Sequence, residues 1–160
     1  MEKIEIITGK IRVGKTTYLE NYLKHNTNIK GILQSVIEGE RFFKDVESEE
    51  SKQITAKTEN DGTFTIGKYI FNFNTFEWAK KRLEYILLKD FNTIVIDEYG
   101  PLEFENKGLE PVVSEIVLVI LRSSNQKLII VIRDTLVDKF IQKFQLSNEN
   151  IKITKISRDS

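Results

Sequence analysis

The spacing of apolar and polar residues divides the chain into alternating strands and helices. Short apolar runs rich in β-branched residues predict buried strands at 3–8, 92–96, 126–133 and 151–156. Apolar residues at helical spacing predict a helix from Lys15 to about 25–28, and further helices over 76–87, 111–121 and 134–144. Strands that alternate with helices in this way predict an α/β fold, a three-layer arrangement around a mostly parallel sheet.

The segment 31–73 follows a different pattern, which predicts β-hairpins inserted after the first helix. Strand-like runs at 31–37 and 41–46 flank a turn at 38–40, and runs at 53–57 and 63–73 flank a second turn at 60–62. The polar residues between the two pairs, 47–52, predict a loop. We therefore expect one domain over 1–160, with 31–73 as a β-rich insert inside it.

Three positions in the second half carry more specific expectations. The helix at 111–121, with Pro111 in its first turn, is apolar nearly all round, so we expect it to be largely buried. Gly100 and Pro101 predict a turn before it. Asp134 is expected to cap the helix that follows it.

Composition excludes several classes of partner. Lys and Arg total 24 and Asp and Glu total 24, so no long-range field attracts nucleic acid or an anionic membrane. There is no cysteine, which excludes disulfides and thiolate metal sites. The strand at 3–8 leaves no room for a signal peptide, and the longest apolar run, 116–121, is too short to span a bilayer. We therefore expect a cytoplasmic protein with neither nucleic-acid nor membrane partners.

The stretch after the first strand has the spacing G-x-x-x-x-G-K-T, which is typical of a phosphate-binding loop (Walker A) between a strand and a helix. Glycines at 9 and 14 permit backbone angles that turn consecutive N–H groups toward phosphate oxygens. The positive N-terminal end of the helix faces the same anion. The predicted nucleotide-binding residues of this stretch are Gly9, Lys10, Ile11, Arg12, Val13, Gly14, Lys15, Thr16 and Thr17. Lys15 is expected to contact the β- and γ-phosphates, and the Thr16 hydroxyl to hold Mg²⁺.

Two acidic residues, Asp97 and Glu98, end the strand at 92–96. In a parallel sheet the carboxyl ends of the strands share one edge, so we expect these carboxylates to meet the phosphate loop there. Asp97 is predicted to hold Mg²⁺ opposite Thr16, and Glu98 to orient the water that attacks the γ-phosphate. The alternative for Glu98 is a solvated strand end without a catalytic role.

Hydrolysis also requires positive charge against the transferring phosphoryl group. Arg133, at the end of the strand at 126–133, is the candidate that would supply it beside Lys15. The alternative for Arg133 is a surface ion pair with Asp134 or Asp138. Two further roles stay open: Arg12 points to solvent or to a partner, and Glu103 faces the nucleotide or caps the returning chain.

The segment Asp97–Glu103, written D-E-x-G-x-x-E, resembles the signature of the small cancer-related and thermophile nucleoside-triphosphatases. The resemblance extends to Gly67-Lys68-Tyr69 and to a tail similar to T-x-x-N-R-D. It implies a P-loop NTPase fold and slow Mg²⁺-dependent hydrolysis of ATP, GTP and other nucleoside triphosphates. It also adds Gly100, Glu103 and Arg158 to the predicted nucleotide site.

The chain departs from the family pattern in two places. The first hairpin strand ends Ser35-Val36-Ile37-Glu38 without the usual arginine, and Ser157 replaces the asparagine before Arg158.

Two other functions are compatible with a phosphate loop: a small nucleotide or nucleoside kinase, and a non-catalytic nucleotide-dependent switch whose insert binds a protein partner. The sequence predicts neither the preferred base nor the oligomeric state.

Overall fold

The computed structural model describes residues 2–9 and 15–156, and of Lys15 and Thr16 it describes the backbone alone. The strands in these ranges are β1 Ile4–Thr8, β2 Ile29–Ile37, β3 Glu40–Asp45, β4 Ser51–Gln53, β5 Thr63–Ile66, β6 Tyr69–Asn72, β7 Thr93–Ile96, β8 Lys127–Val131 and β9 Ile151–Lys155. The helices are α1 Lys15–His25, α2 Phe73–Leu87, α3 Pro101–Phe104, α4 Val112–Arg122 and α5 Val137–Lys143.

The central sheet has the strand order β4-β3-β2-β7-β8-β1-β9. Strands β2, β7, β8, β1 and β9 are parallel to one another, whereas β3 and β4 extend the sheet beyond β2 in antiparallel fashion. The first predicted hairpin is β2–β3, and its turn lies at 38–39 as expected. The predicted α/β class with a mostly parallel sheet is confirmed.

The central parallel strands β1, β7 and β8 bury both faces, which explains their apolar runs. In β7, for example, Ile94 and Ile96 face the cluster that contains α2, α4 and α5, while Val95 faces the cluster under α1. Successive side chains of a strand point to opposite faces, so each strand contributes to both clusters. The helices therefore lie on the two sides of the sheet, which gives the predicted three layers.

The second hairpin differs from the prediction. The Asn60–Gly62 turn exists, since Asn60 Oδ1 accepts a hydrogen bond of 2.7 Å from the Gly62 N–H, but it does not join two paired strands. The hairpin is β5–β6, which reverses at Gly67, a residue with φ +59°. Reversal there places Phe64 and Phe71 opposite each other and against the ring of Phe76. A single strand over 63–73 would not bring both rings to that core residue.

Three smaller predictions change for local reasons. The side chains of Leu118 and Val119 in α4 are 51% and 40% exposed, so only one face of that helix is buried. Asp134 does not cap a helix with its side chain; it begins a 3-10 turn, Asp134–Leu136, which leads into α5. Pro101 opens the short helix α3, because its fixed φ suits a first helical turn. None of the described helices is long and apolar enough to cross a membrane.

Candidate active site

The carboxyl ends of β1, β8 and β7 meet at one edge of the sheet. In the register of these strands, Ile6 and Ile96 both align with Ile130 of β8, which lies between them. Gly9 follows β1, Asp97 and Glu98 follow β7, and Arg133 lies two residues past the end of β8. Backbone hydrogen bonds continue past the strand ends, from Tyr99 N–H to Val131 O and from Ile132 N–H to Ile7 O, both 2.9 Å. The strand ends are therefore at the same level.

The predicted phosphate loop begins at this edge. Gly9 has φ +154°, a value that side-chain-bearing residues rarely adopt, and α1 begins at Lys15 as predicted. Thr17 is exposed in the first turn of that helix. Several predicted site residues lie outside the described residues, namely Lys10, Ile11, Arg12, Val13, Gly14 and Arg158. Their roles, and those of the Lys15 and Thr16 side chains, stay predictions.

Asp97 is buried at the end of β7, with 3% of its surface exposed. Its Oδ2 accepts a hydrogen bond of 3.1 Å from the Gln34 N–H of β2, which fixes the carboxylate against the neighbouring strand. At the same edge of the sheet, at the end of β1, the buried Thr8 hydroxyl has no hydrogen-bond partner among the described groups. Carboxylate and hydroxyl oxygens are the hard donors that Mg²⁺ prefers. The donor set therefore fits the ion, although the described residues contain no cluster of three acidic or histidine ligands.

Glu98 and Arg133 form an ion pair. Arg133 Nε lies 3.4 Å from Glu98 Oε1, and the two side chains are 36% and 27% exposed. Among the described residues, Arg133 forms no ion pair with Asp134 or Asp138, which was the predicted alternative. Glu98 has φ +131°, a strained conformation for a residue with a side chain, of the kind that clusters at functional sites. The fold thus joins two side chains that the sequence nominates separately.

Glu103 caps the returning chain, which is one of the two roles left open. Its carboxylate is 6% exposed and accepts hydrogen bonds from the N–H of Gly100 at 2.8 Å and of Leu109 at 3.0 Å. Burial raises the pKa of Glu103 to about 7, against the opposite effect of those two hydrogen bonds and with a contribution from the charge of Glu98. Gly100 is buried beside it. The carboxylate of Glu103 therefore fixes the D-E-x-G-x-x-E segment that it ends, by accepting a hydrogen bond from Gly100 of the same segment.

A buried polar cluster behind this segment was not predicted. The Tyr99 hydroxyl donates a hydrogen bond of 2.6 Å to Glu110 Oε2, and Lys143 Nζ donates to the same carboxylate at 3.1 Å. Burial, followed by the hydrogen bond to Glu110, raises the pKa of the Tyr99 hydroxyl. Ser114 also donates to Glu110, through its N–H at 2.8 Å and its hydroxyl at 2.7 Å. The cluster anchors the chain after Glu98, and no sequence signal links residues this far apart.

Comparisons with known proteins give a consistent result. A family model described as NTPase matches residues 5–160. The nucleoside-triphosphatase THEP1 of Thermotoga maritima is 26% identical over 147 residues, which cover 90% of this chain and 81% of that protein.

Two solved structures are similar over nearly the whole chain. The crystal structure of THEP1 from the hyperthermophile Aquifex aeolicus matches with a TM-score of 0.71 and 18% identity, covering 98% of this chain and 91% of that one. The solution structure of a human cancer-related nucleoside triphosphatase matches with a TM-score of 0.67 and 17% identity, covering 99% and 90%. Because both sequence identities are low, these two similarities are evidence for the fold and not for a function.

Proposed function

This chain belongs to the NTPase family, with the P-loop fold that its sequence predicts, and from that premise we propose a Mg²⁺-dependent nucleoside-triphosphatase. Its substrates would be ATP, GTP and other nucleoside triphosphates, which it would hydrolyse to the diphosphate and phosphate. One observation carries the proposal: Asp97, Glu98 and Arg133 converge on the strand edge at which the phosphate loop begins.

The proposed reaction is attack of a water oxygen on the γ-phosphorus as the bond to the bridging oxygen breaks. The loop amides and Lys15 would hold the phosphates, and the Thr16 hydroxyl and Asp97 would hold Mg²⁺. When bound, the ion would neutralise charge on the phosphate oxygens. The hydrogen bond from Gln34 to Asp97 supports this role, because it orients the carboxylate before any ligand arrives.

Glu98 would accept a proton from the attacking water, and Arg133 would offset the charge that develops on the phosphoryl group. Both side chains are partly exposed, so that water and a phosphate can reach them. Their ion pair supports the proposal because it holds a base and a cation within one contact distance of each other. We further propose a cytoplasmic setting, in which the chain would meet its nucleotide substrates.

The experiment is phosphate release from the four common ribonucleoside triphosphates with Mg²⁺. We expect Lys15→Ala to abolish release, because the variant lacks the cation of the phosphate loop, and chelation of the metal to do the same. Lys24→Ala is the matched control, since Lys24 lies in the last turn of the same helix and is exposed. Equal release by Lys15→Ala and wild type, or none by wild type, would contradict the proposal.

A further inference from the structure

A cavity of about 230 Å³ opens beside Glu98 and Arg133, between the active-site edge and the insert. Its inner wall is apolar, formed by Phe43, Ile54, Phe71, Phe76 and Leu109. Protein interiors are otherwise packed as densely as organic crystals, so a space of this size with an open mouth is a candidate ligand site. It is smaller than the space that drug-sized ligands need, which limits its occupant to one or two rings.

The wall is built before any ligand binds. The rings of Phe43 and Phe76 meet edge to face with centroids 5.2 Å apart, and those of Phe71 and Phe76 do so at 6.0 Å. Mutual contacts of this kind hold the rings in defined orientations and leave aromatic surface facing the cavity. The wall therefore suits a flat aromatic body better than a flexible chain.

The lining of the cavity carries two cations, Arg41 and Arg133, and two carboxylates, Glu98 and Glu103, of which Arg133 and Glu98 form an ion pair. Arg41 of β3 is exposed, and no ion pair occupies its guanidinium among the residues that the structure describes. The nearest acid in sequence, Glu40, already accepts hydrogen bonds from Gln53 Nε2 at 2.9 Å and from the Thr55 hydroxyl at 3.0 Å. A ligand that carries an anionic group would therefore find a cation available at the rim.

The described lining of the cavity contains no residue of β1 and none from the described part of α1, the two elements that flank the phosphate loop. That lining comes from β2, β3, the insert, α2 and the chain after β7 and β8. The loop follows β1, which is separated from β7 by β8 and from β2 by both. Glu98 and Arg133, which are assigned to the proposed reaction, also line the cavity, so its occupant would lie beside them.

We propose that the cavity is a second ligand site, which takes a small aromatic molecule of one or two rings that carries a carboxylate or phosphate group. The rings lie against the phenylalanine wall, and the anionic group meets Arg41. This inference goes beyond the proposed hydrolysis. It rests on that proposal only for the roles of Glu98 and Arg133, because the phenylalanine wall and Arg41 are not assigned to the reaction.

The test is a titration of the full ¹⁵N-labelled chain followed by its backbone amide spectrum, without nucleotide. Three probes separate the contributions: 2-naphthoate has rings and charge, 2-naphthalenemethanol has rings alone, and acetate has charge alone. We expect naphthoate to shift the amide signals of Phe43, Ile54, Phe71 and Leu109, the alcohol to shift them more weakly, and acetate to leave them unchanged.

Two variants assign the contacts. Arg41→Gln should weaken naphthoate binding about fivefold, the value of one exposed ion pair, and leave the alcohol unaffected. Lys44→Gln is the matched control, because Lys44 lies on the same strand but outside the cavity lining. Phe71→Leu should weaken both ring-bearing probes, and if it unfolds, the Arg41 comparison alone still decides the matter.

Three results would overturn the proposal. The first is an absence of naphthoate shifts at the cavity amides up to millimolar concentration. The second is an equal effect of Arg41→Gln and Lys44→Gln. The third is displacement of naphthoate by ADP, which would make the cavity the base-binding part of the nucleotide site. Because binding is measured without turnover, a failure here differs from a failure of the phosphate-release assay.

Discussion

Replacing Glu98 by Gln tests the proposed base while leaving nearly the same shape. The amide cannot accept a proton from the attacking water, so we expect turnover to fall about tenfold to a hundredfold. Nucleotide affinity should stay near the wild-type value, because the phosphates are held by other groups. The effect should therefore appear in kcat and not in KM.

The size of each effect separates catalysis from structure. The Glu98–Arg133 pair spans 3.4 Å with both side chains about one third exposed, so its loss should cost about 1 kcal/mol of stability or less. A tenfold to hundredfold loss of rate corresponds to about 1.4–2.7 kcal/mol in the activation barrier. If Glu98 has only a structural role, its replacement should lower the free energy of unfolding without slowing turnover. If it is the catalytic base, turnover should fall.

The assay is steady-state phosphate release, with equilibrium nucleotide binding and urea unfolding measured on the same samples. Glu105→Gln provides the control, since Glu105 forms a comparable exposed pair with Lys107 at 3.9 Å and lies a few residues further along. Arg133→Gln and the double variant complete a cycle: a double variant no slower than Glu98→Gln would mean that Arg133 acts only by positioning Glu98. Unchanged kcat in Glu98→Gln would refute the assignment.

Three further predictions concern stability. Burial raises the pKa of Glu103 from 4.5 to about 7, so its contribution is fully present below pH 4.5 and is lost as pH rises through 7. Urea unfolding should show wild type losing about 3 kcal/mol relative to Glu103→Gln across that range. Gly31→Ala should cost more than about 2 kcal/mol in thermal unfolding, because Gly31 has φ +147° and a Cβ there would overlap the Val95 carbonyl oxygen. Burial alone would raise the pKa of Glu5, but accepted hydrogen bonds, first that from Lys127, lower it overall. Its contribution is therefore present above pH 4.5 and is lost in acid, so Glu5→Gln should be about 1–3 kcal/mol less stable at neutral pH, with the difference closing as pH falls below 4.

Much of the fold follows from the local pattern. The strands that become β1, β7 and β8 are apolar on both faces, and α1 and α2 carry apolar stripes at helical spacing, so their types could be predicted within a few residues. Predictions failed where the local structure depends on a contact between residues distant in sequence. The reversal occurs at Gly67, and glycine is a local turn signal, but the pairing of β5 with β6 is supported by packing of Phe64 and Phe71 on Phe76, which lies outside the hairpin.

The candidate site divides in the same way. Asp97 and Glu98 were predicted at the strand edge because a β-branched run ends in two carboxylates, and that inference needs only the rule for parallel sheets. Arg133 was predicted as a cation for the phosphoryl group, and the alternative weighed for it was an ion pair with Asp134 or Asp138, acids near in sequence. The strand order places β8 beside β7, and this neighbour relation brings Glu98 to it instead.

The sequence by itself determined most of the elements and the phosphate-loop spacing, because each depends on residues within a short window, and the family, because several short motifs along the chain resemble it. Only the tertiary structure decided that Glu103 caps its own segment, that Lys143 binds the buried pair Tyr99 and Glu110, and that an aromatic cavity opens beside Arg133. Each of these depends on which buried polar or aromatic groups become neighbours when strands pair across long separations. That choice is governed by the packing of the whole core and has no local signature.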